Sequence, residues 1–272
     1  MLAADAFLRR LPKGLQPTQL LAFEGLLYCG DAVDASYSAM RGLAPAHGDA
    51  IRNPENRVSR IHMFVHAWTI VDSLHIARDL VKAVGFNAKI AKSFIEKYEV
   101  ATNLRNKMDH VSDNLKNLAE KKGAPPLQGA ISYTYILPED WTVESGITGG
   151  RVIGISVGHI RGKSTVSVLS NPLDGGNFGP WDHEEPKFGR TLVGGFQLMA
   201  FAESLLLKID EAVNDLTGVL TELNMAASQQ IPAQLEKYAE ENGLAIEDLM
   251  ATAPADLNTY VVFKTGESRQ ET

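Results

Sequence analysis

Cysteine occurs once in this chain of 272 residues, at Cys29. An internal disulfide is therefore excluded, and a reducing cytoplasm is the expected setting. Long apolar runs are missing as well. None approaches the roughly 18–20 residues that cross a bilayer, so no membrane span is expected. The opening stretch MLAADAFLRRLPKG has neither an uninterrupted apolar segment nor a cleavage site, which argues against a secretion signal. Basic residues are outnumbered, 26 Lys and Arg against 33 Asp and Glu, for a formal charge of −7. That balance argues against a broad nucleic-acid-binding surface. What is present, 44% hydrophobic and 22% charged residues, is the composition of a globular protein with a core to bury.

The charge is unevenly spread. Between residues 230 and 272 eight acids (Glu236, Glu240, Glu241, Glu247, Asp248, Asp256, Glu267, Glu271) face three bases (Lys237, Lys264, Arg269), a local −5. Residues 88–122 carry eight bases and five acids, a local +3. A basic groove is compatible with the acidic total, and the acidic end is a candidate to lie over it.

Hydrophobic periodicity predicts helices over 17–41, 57–84, 88–121, 191–225 and 233–242. Pro17 suits a first turn and Gly85 a helix stop. On the third helix Ile90, Phe94, Ala101, Leu104, Met108, Val111, Leu115 and Leu118 recur every three to four positions. The period then changes to two: residues 131–137, 151–160 and 164–169 alternate and predict three antiparallel strands. The expected architecture is mainly α. One helical bundle occupies 1–229, with a small antiparallel β-sheet inserted at about 130–170, between the third and fourth long helices. An acidic extension with a short helix follows at 230–272.

Three groups of residues carry chemistry. GISVG at 154–158 has the spacing of a nucleophile elbow around Ser156, but such a serine needs a strand-to-helix turn and here strand pattern continues. The glycines read as places where a strand bends or packs closely. His62 and His66 are spaced to share a metal, yet no third ligand follows at helical spacing. Asp182, His183, Glu184 and Glu185 in the later loop could complete a site, but nothing in the sequence requires it; the His62–His66 pair reads as partly buried, hydrogen-bonded histidines, and neither metal nor cofactor is expected. Asp72, His75 and Asp79 fall on one helical face with Ile61, Phe64 and Trp68. Polar groups on a buried stripe need partners, and the third helix offers Arg105 and His110.

Those two belong to LRNKMDHVSDNL, residues 104–115. Arg105 and Asp109 are helical neighbours at i,i+4, as are Asn106 and His110, and the four flank the apolar stripe of Leu104, Met108 and Val111. A fixed cation beside a titratable imidazole suits cleavage of RNA by its own 2′-hydroxyl. Histidine moves the proton near neutral pH and arginine stabilises the phosphorane.

The segment Arg105-Asn106-Lys107-Met108-Asp109-His110, set on the third helix of a bundle, resembles the signature of HEPN-domain proteins. That signature is an arginine, a polar residue after it, and a histidine four to six positions on. The same arginine-to-histidine spacing recurs at Arg41–His47, Arg57–His62 and Arg60–His66, but only 105–110 has both the polar residue and the helical setting. The resemblance covers about 17–121 and 191–225; the inserted sheet and the acidic tail depart from a minimal bundle. It implies an all-α homodimer, metal-independent endoribonuclease activity of the kind found in toxin–antitoxin, CRISPR and phage-defence systems, and RNA as substrate. It also implies an antitoxin or other defence-system protein as partner. Arg105 and His110 match the catalytic pair and Asn106 the polar position, while Asp109, Asp72 and His75 are expected in support. Members without catalysis serve as binding modules, and a protein- or ligand-binding bundle remains the alternative reading.

Overall fold

The computed structural model describes residues 1–50, 57–86, 88–120, 127–136, 141–142, 146–147, 151–156, 191–192, 195–201 and 205–252. After a short 3-10 helix at Phe7–Arg10, α1 spans Pro17–Ala50 and α2 spans Arg57–Val84. These two helices pack along their length. The buried stripe of α1 continues from Phe23, Leu26 and Val33 to Met40 and Ala44, and that burial carries the helix beyond its predicted end at residue 41.

The predicted third helix is three: α3 (Lys89–Lys97), α4 (Glu99–Asp109) and α5 (Val111–Glu120). The breaks fall at Tyr98 (φ −95°, ψ 21°) and His110 (φ −103°, ψ 32°). Both lie in the bridge region, where the chain turns while local hydrogen bonds persist. The Tyr98 N–H still donates to the Phe94 carbonyl at 3.0 Å, and that of His110 to Asn106 at 3.1 Å. An apolar period of three to four residues survives such a turn, which is why the sequence pattern reads straight through it.

The sheet contains β1 (Ala130–Ile136), β4 (Arg151–Ser156), β5 (Thr191–Leu192), β6 (Gln197–Met199) and β7 (Leu206–Lys208); β2 (Trp141–Thr142) and β3 (Gly146–Ile147) pair separately. Its order is β4-β1-β6-β7, all antiparallel, with β5 also against β1. The period-2 reading of residues 131–136 and 151–156 is realised in β1 and β4, with Ile131 opposite both Ile155 and Leu198. The strand predicted at 164–169 lies outside the described residues. Gly129, at φ +90°, brings the chain into β1 so close to the Met199 carbonyl that a Cβ would sit 2.5 Å from it.

The predicted helix at 191–225 is corrected in its first half. Residues 191–208 contribute three strands, and α6 runs from Ile209 to Asn242. The stretch FQLMAF is buried throughout, Gln197 included, so its apolar residues show no alternation by which periodicity could assign it to strand or helix. Phe196 packs its ring against Tyr133 and Tyr37, and Asp210 in the first turn of α6 accepts hydrogen bonds from the Phe196 N–H and the Tyr37 hydroxyl. At its far end α6 passes through Pro232 and absorbs the predicted helix at 233–242, because Ala227, Ile231, Leu235 and Ala239 continue one buried stripe. Gly243, at φ +64°, ends it, and α7 (Ile246–Met250) follows. The 229/230 boundary drawn from charge therefore falls within α6.

The molecule is mainly helical with a small antiparallel sheet. One apolar cluster joins Leu26 of α1, Leu74 of α2, Leu104 of α4, Tyr133 and Leu198 of the sheet and Leu216 of α6. Among the described residues no helix is long and apolar enough to cross a membrane. Cys29 is buried, and its thiol is pushed up to about 11 by loss of solvent, which makes it unreactive at neutral pH.

Candidate functional site

The core face of α2 is formed by Met63, Ala67, Ile70, Val71, Leu74 and Ala77, all fully buried. Ile61 is exposed, so the face predicted for Asp72, His75 and Asp79 is the margin of the core and not its centre. At that margin α2 meets α4. Asp72 and His75 are half-buried there, whereas Asp79 is exposed and pairs with Lys82 at 3.3 Å.

Asp72, Arg105 and Asp109 come together across the two helices. The Arg105 Nε lies 3.1 Å from Asp72 Oδ1 and its Nη1 lies 2.6 Å from Asp109 Oδ1. The first contact has ion-pair distance without hydrogen-bond alignment: Asp72 Oδ1 is buried and accepts no hydrogen bond. Burial raises the Asp72 carboxyl above its ordinary range; the Arg105 cation opposes this, the Asp109 carboxylate adds to it, and His75 offsets part. The guanidinium is thus held between carboxylates from two helices, with a third of its surface still open to solvent.

His75 points elsewhere, its Nδ1 lying 3.1 Å from the Thr102 hydroxyl of α4. That hydroxyl also accepts from Arg78, a buried cation absent from the sequence reading. Arg78 donates further to the Ile95 carbonyl at 2.8 Å and pairs with Glu99. It is the main polar tie between α2 and the α3–α4 elbow. Its sequence signal is its position: Val71, Leu74 and Val81 lie seven and four residues before it and three after, so Arg78 is a charge on the apolar stripe itself.

Asn106 is exposed one position beyond Arg105. His110 stands at the C-terminal end of α4, with 70% of its side chain exposed, and its Nδ1 is 3.8 Å from Asp113 in the first turn of α5. It is not part of the Asp72–Arg105–Asp109 cluster. Arg105 and His110 thus lie five residues apart towards the C-terminal end of α4, the arginine anchored and the histidine outside the anchor.

The other candidates are placed as follows. Ser156 ends β4 opposite Ala130, and the residues that follow it lie outside the described ones. His62 and His66 lie on α2, and burial followed by the charge of His62 lowers the His66 imidazole. Among the described residues no cluster of three metal-type ligands forms. Asp182, His183, Glu184 and Glu185, and the tail beyond residue 252, lie outside the described residues. A scan of protein-family models and searches of curated proteins and solved structures find no match to this chain.

Proposed function

We propose that the chain is a metal-independent endoribonuclease of the HEPN type, acting as a homodimer on single-stranded RNA through Arg105 and His110. The observation that supports this reading is that an anchored arginine and an exposed histidine lie five residues apart in the last turns of α4. Arg105 is oriented there by Asp72 and Asp109, and His110 is exposed at the following helix break. In the proposed reaction His110 takes the proton of the 2′-hydroxyl and the 2′-oxygen attacks the adjacent phosphorus. Arg105 balances the charge on the phosphorane, the P–O5′ bond breaks, and the departing 5′-oxygen takes a proton from water. Asn106 supplies an exposed amide to the same phosphate or its sugar. The ion pairs around Arg105 are exposed enough to be weak, so an incoming phosphate can displace a carboxylate. The planar guanidinium then grips two phosphate oxygens, which a lysine cannot do.

The test is cleavage of unstructured RNA by purified protein in EDTA. Products with a 2′,3′-cyclic phosphate (or the 3′-phosphate it opens to) and a 5′-hydroxyl are expected. Arg105→Lys and His110→Ala should each abolish most activity, and 2′-deoxyribose at the cut site should block it. Cleavage that survives on the deoxy substrate or stops with EDTA refutes the reading.

A second reading is favoured by the carboxylates. Asp72, Asp109 and Asp113 crowd the same end as Arg105 and His110, and repel a polyanion. In that case the bundle is catalytically inactive and its α2–α4 edge docks a protein with basic side chains. A co-purifying basic partner, released by Asp109→Lys, together with no RNA cleavage at high protein concentration, selects this reading.

A further inference from the structure

A cleft of about 450 Å³ lies away from the Arg105 edge, where the N-terminal part of α1, the end of α2 and the middle of α6 converge. Its size is within the range of small-molecule sites, roughly 300–1,000 Å³. Phe23, Leu223 and Ile231 form a buried floor. One wall is Phe86, set by the turn at Gly85, whose φ of +68° reverses the chain after α2. The rim carries three side-chain amides: Gln19 from α1, and Gln230 and Gln234 one turn apart on α6. All three residues are exposed. No charged residue lines the cleft among the described residues.

These features define a ligand by chemistry. The absence of a lining charge disfavours phosphates, carboxylates and ammonium groups, which lose hydration without gaining a counter-charge. The apolar floor and aromatic wall favour a flat ring. A primary amide offers both a donor and an acceptor, and the complementary edge is one on which N–H and C=O are adjacent. We propose that the cleft binds an uncharged heterocycle with a lactam edge, with room for an uncharged substituent on the ring. The ring lies on the apolar floor beside Phe86, and its N–H and C=O pair with the amides of Gln230 and Gln234, with Gln19 closing the opposite rim. This site is independent of RNA cleavage at Arg105 and His110.

The test uses 1-methyluracil, which has the lactam edge, and 1,3-dimethyluracil, which keeps the ring but has its N–H blocked. Each is titrated into the full chain and followed by NMR of the glutamine side-chain amides and the Ile231 methyl groups. The expected result is shifts at Gln230, Gln234 and Ile231 with 1-methyluracil, and at least fivefold weaker binding of the dimethyl ring. Gln234→Ala, an exposed helical substitution, should weaken 1-methyluracil about fivefold, as expected for one neutral hydrogen bond. Equal binding of the two rings overturns the proposal, as does no shift at these residues with about 10 mM 1-methyluracil, the order of Kd that a low ligand efficiency gives a ring of this size.

Discussion

Replacing Arg105 by alanine separates a structural arginine from a catalytic one, because the two roles differ in magnitude. The side chains of Arg105, Asp72 and Asp109 are 36%, 46% and 47% exposed. Ion pairs with that much solvent contribute about 0–1 kcal/mol each, and an i,i+4 pair such as Arg105–Asp109 about 0.3–0.5 kcal/mol. The Asp72 contact gains little more, since its geometry lacks hydrogen-bond alignment. Asp72 can also take up a proton when the cation is gone, since burial already raises its carboxyl. Arg105→Ala should therefore lower the unfolding free energy by about 1 kcal/mol. If Arg105 stabilises the phosphorane, the same change should slow RNA cleavage by about 10²–10³-fold, equivalent to roughly 2.7–4 kcal/mol. Urea unfolding followed by circular dichroism gives the first quantity, and initial rates on a fluorescent RNA give the second. A stability loss above about 3 kcal/mol refutes the reasoning, because it belongs to a desolvated clamp and not to an exposed pair. An unchanged cleavage rate, with active wild-type protein, removes Arg105 from the reaction.

Two further outcomes test the frame that holds the site. Tyr98→Phe should cost about 1.5 kcal/mol in urea, the low end for a hydrogen bond to a charged group. The buried Tyr98 hydroxyl donates to Asp215 of α6 at 2.7 Å, and Asp215 keeps Lys97 at 2.7 Å when it is lost. A change below about 0.5 kcal/mol means that the α3–α4 elbow is not pinned to α6 through this contact. His66 gives a pH signature. Its folded imidazole titrates below the ordinary 6.5 because of burial and His62, so between those two values the unfolded chain binds more protons than the folded one. Its contribution is fully present above pH 6.5 and declines as pH falls through that window. Comparing urea midpoints of wild type and His66→Gln from pH 7.5 to 5.5 should show the wild type losing ground toward acid; parallel curves exclude it.

The helical character was legible wherever one face of a helix is buried and the other is wet. Residues 57–84 read as a helix from their periodicity, and α2 has those bounds; the same logic placed β1 and the start of β4 by their alternation. The reading failed where burial is two-sided or where the turn is internal. FQLMAF gave no face to detect, and its best clue was the Gly194-Gly195 pair before it, a chain breaker that a helix prediction should not cross. At Tyr98 the turn is fixed by a hydroxyl reaching α6, a tertiary contact that no local window contains.

For the site, helix-face arithmetic anticipated that Asp72 and Arg105 meet, because both lie on the margin of an apolar stripe and margins of adjacent helices face each other. It could not anticipate that His110 ends α4 and stands outside the ion-pair cluster. The residue most informative about α4 is Arg78, which the sequence reading does not single out. Arg78 lies on the stripe, where an unpaired cation is costly, so a partner had to be supplied by whatever packs against α2. It is supplied by Ile95, Glu99 and Thr102, and Thr102 is one helical turn before Arg105. The rotation of α4 about its axis, and hence the direction in which Arg105 faces, follows from where Arg78 is satisfied.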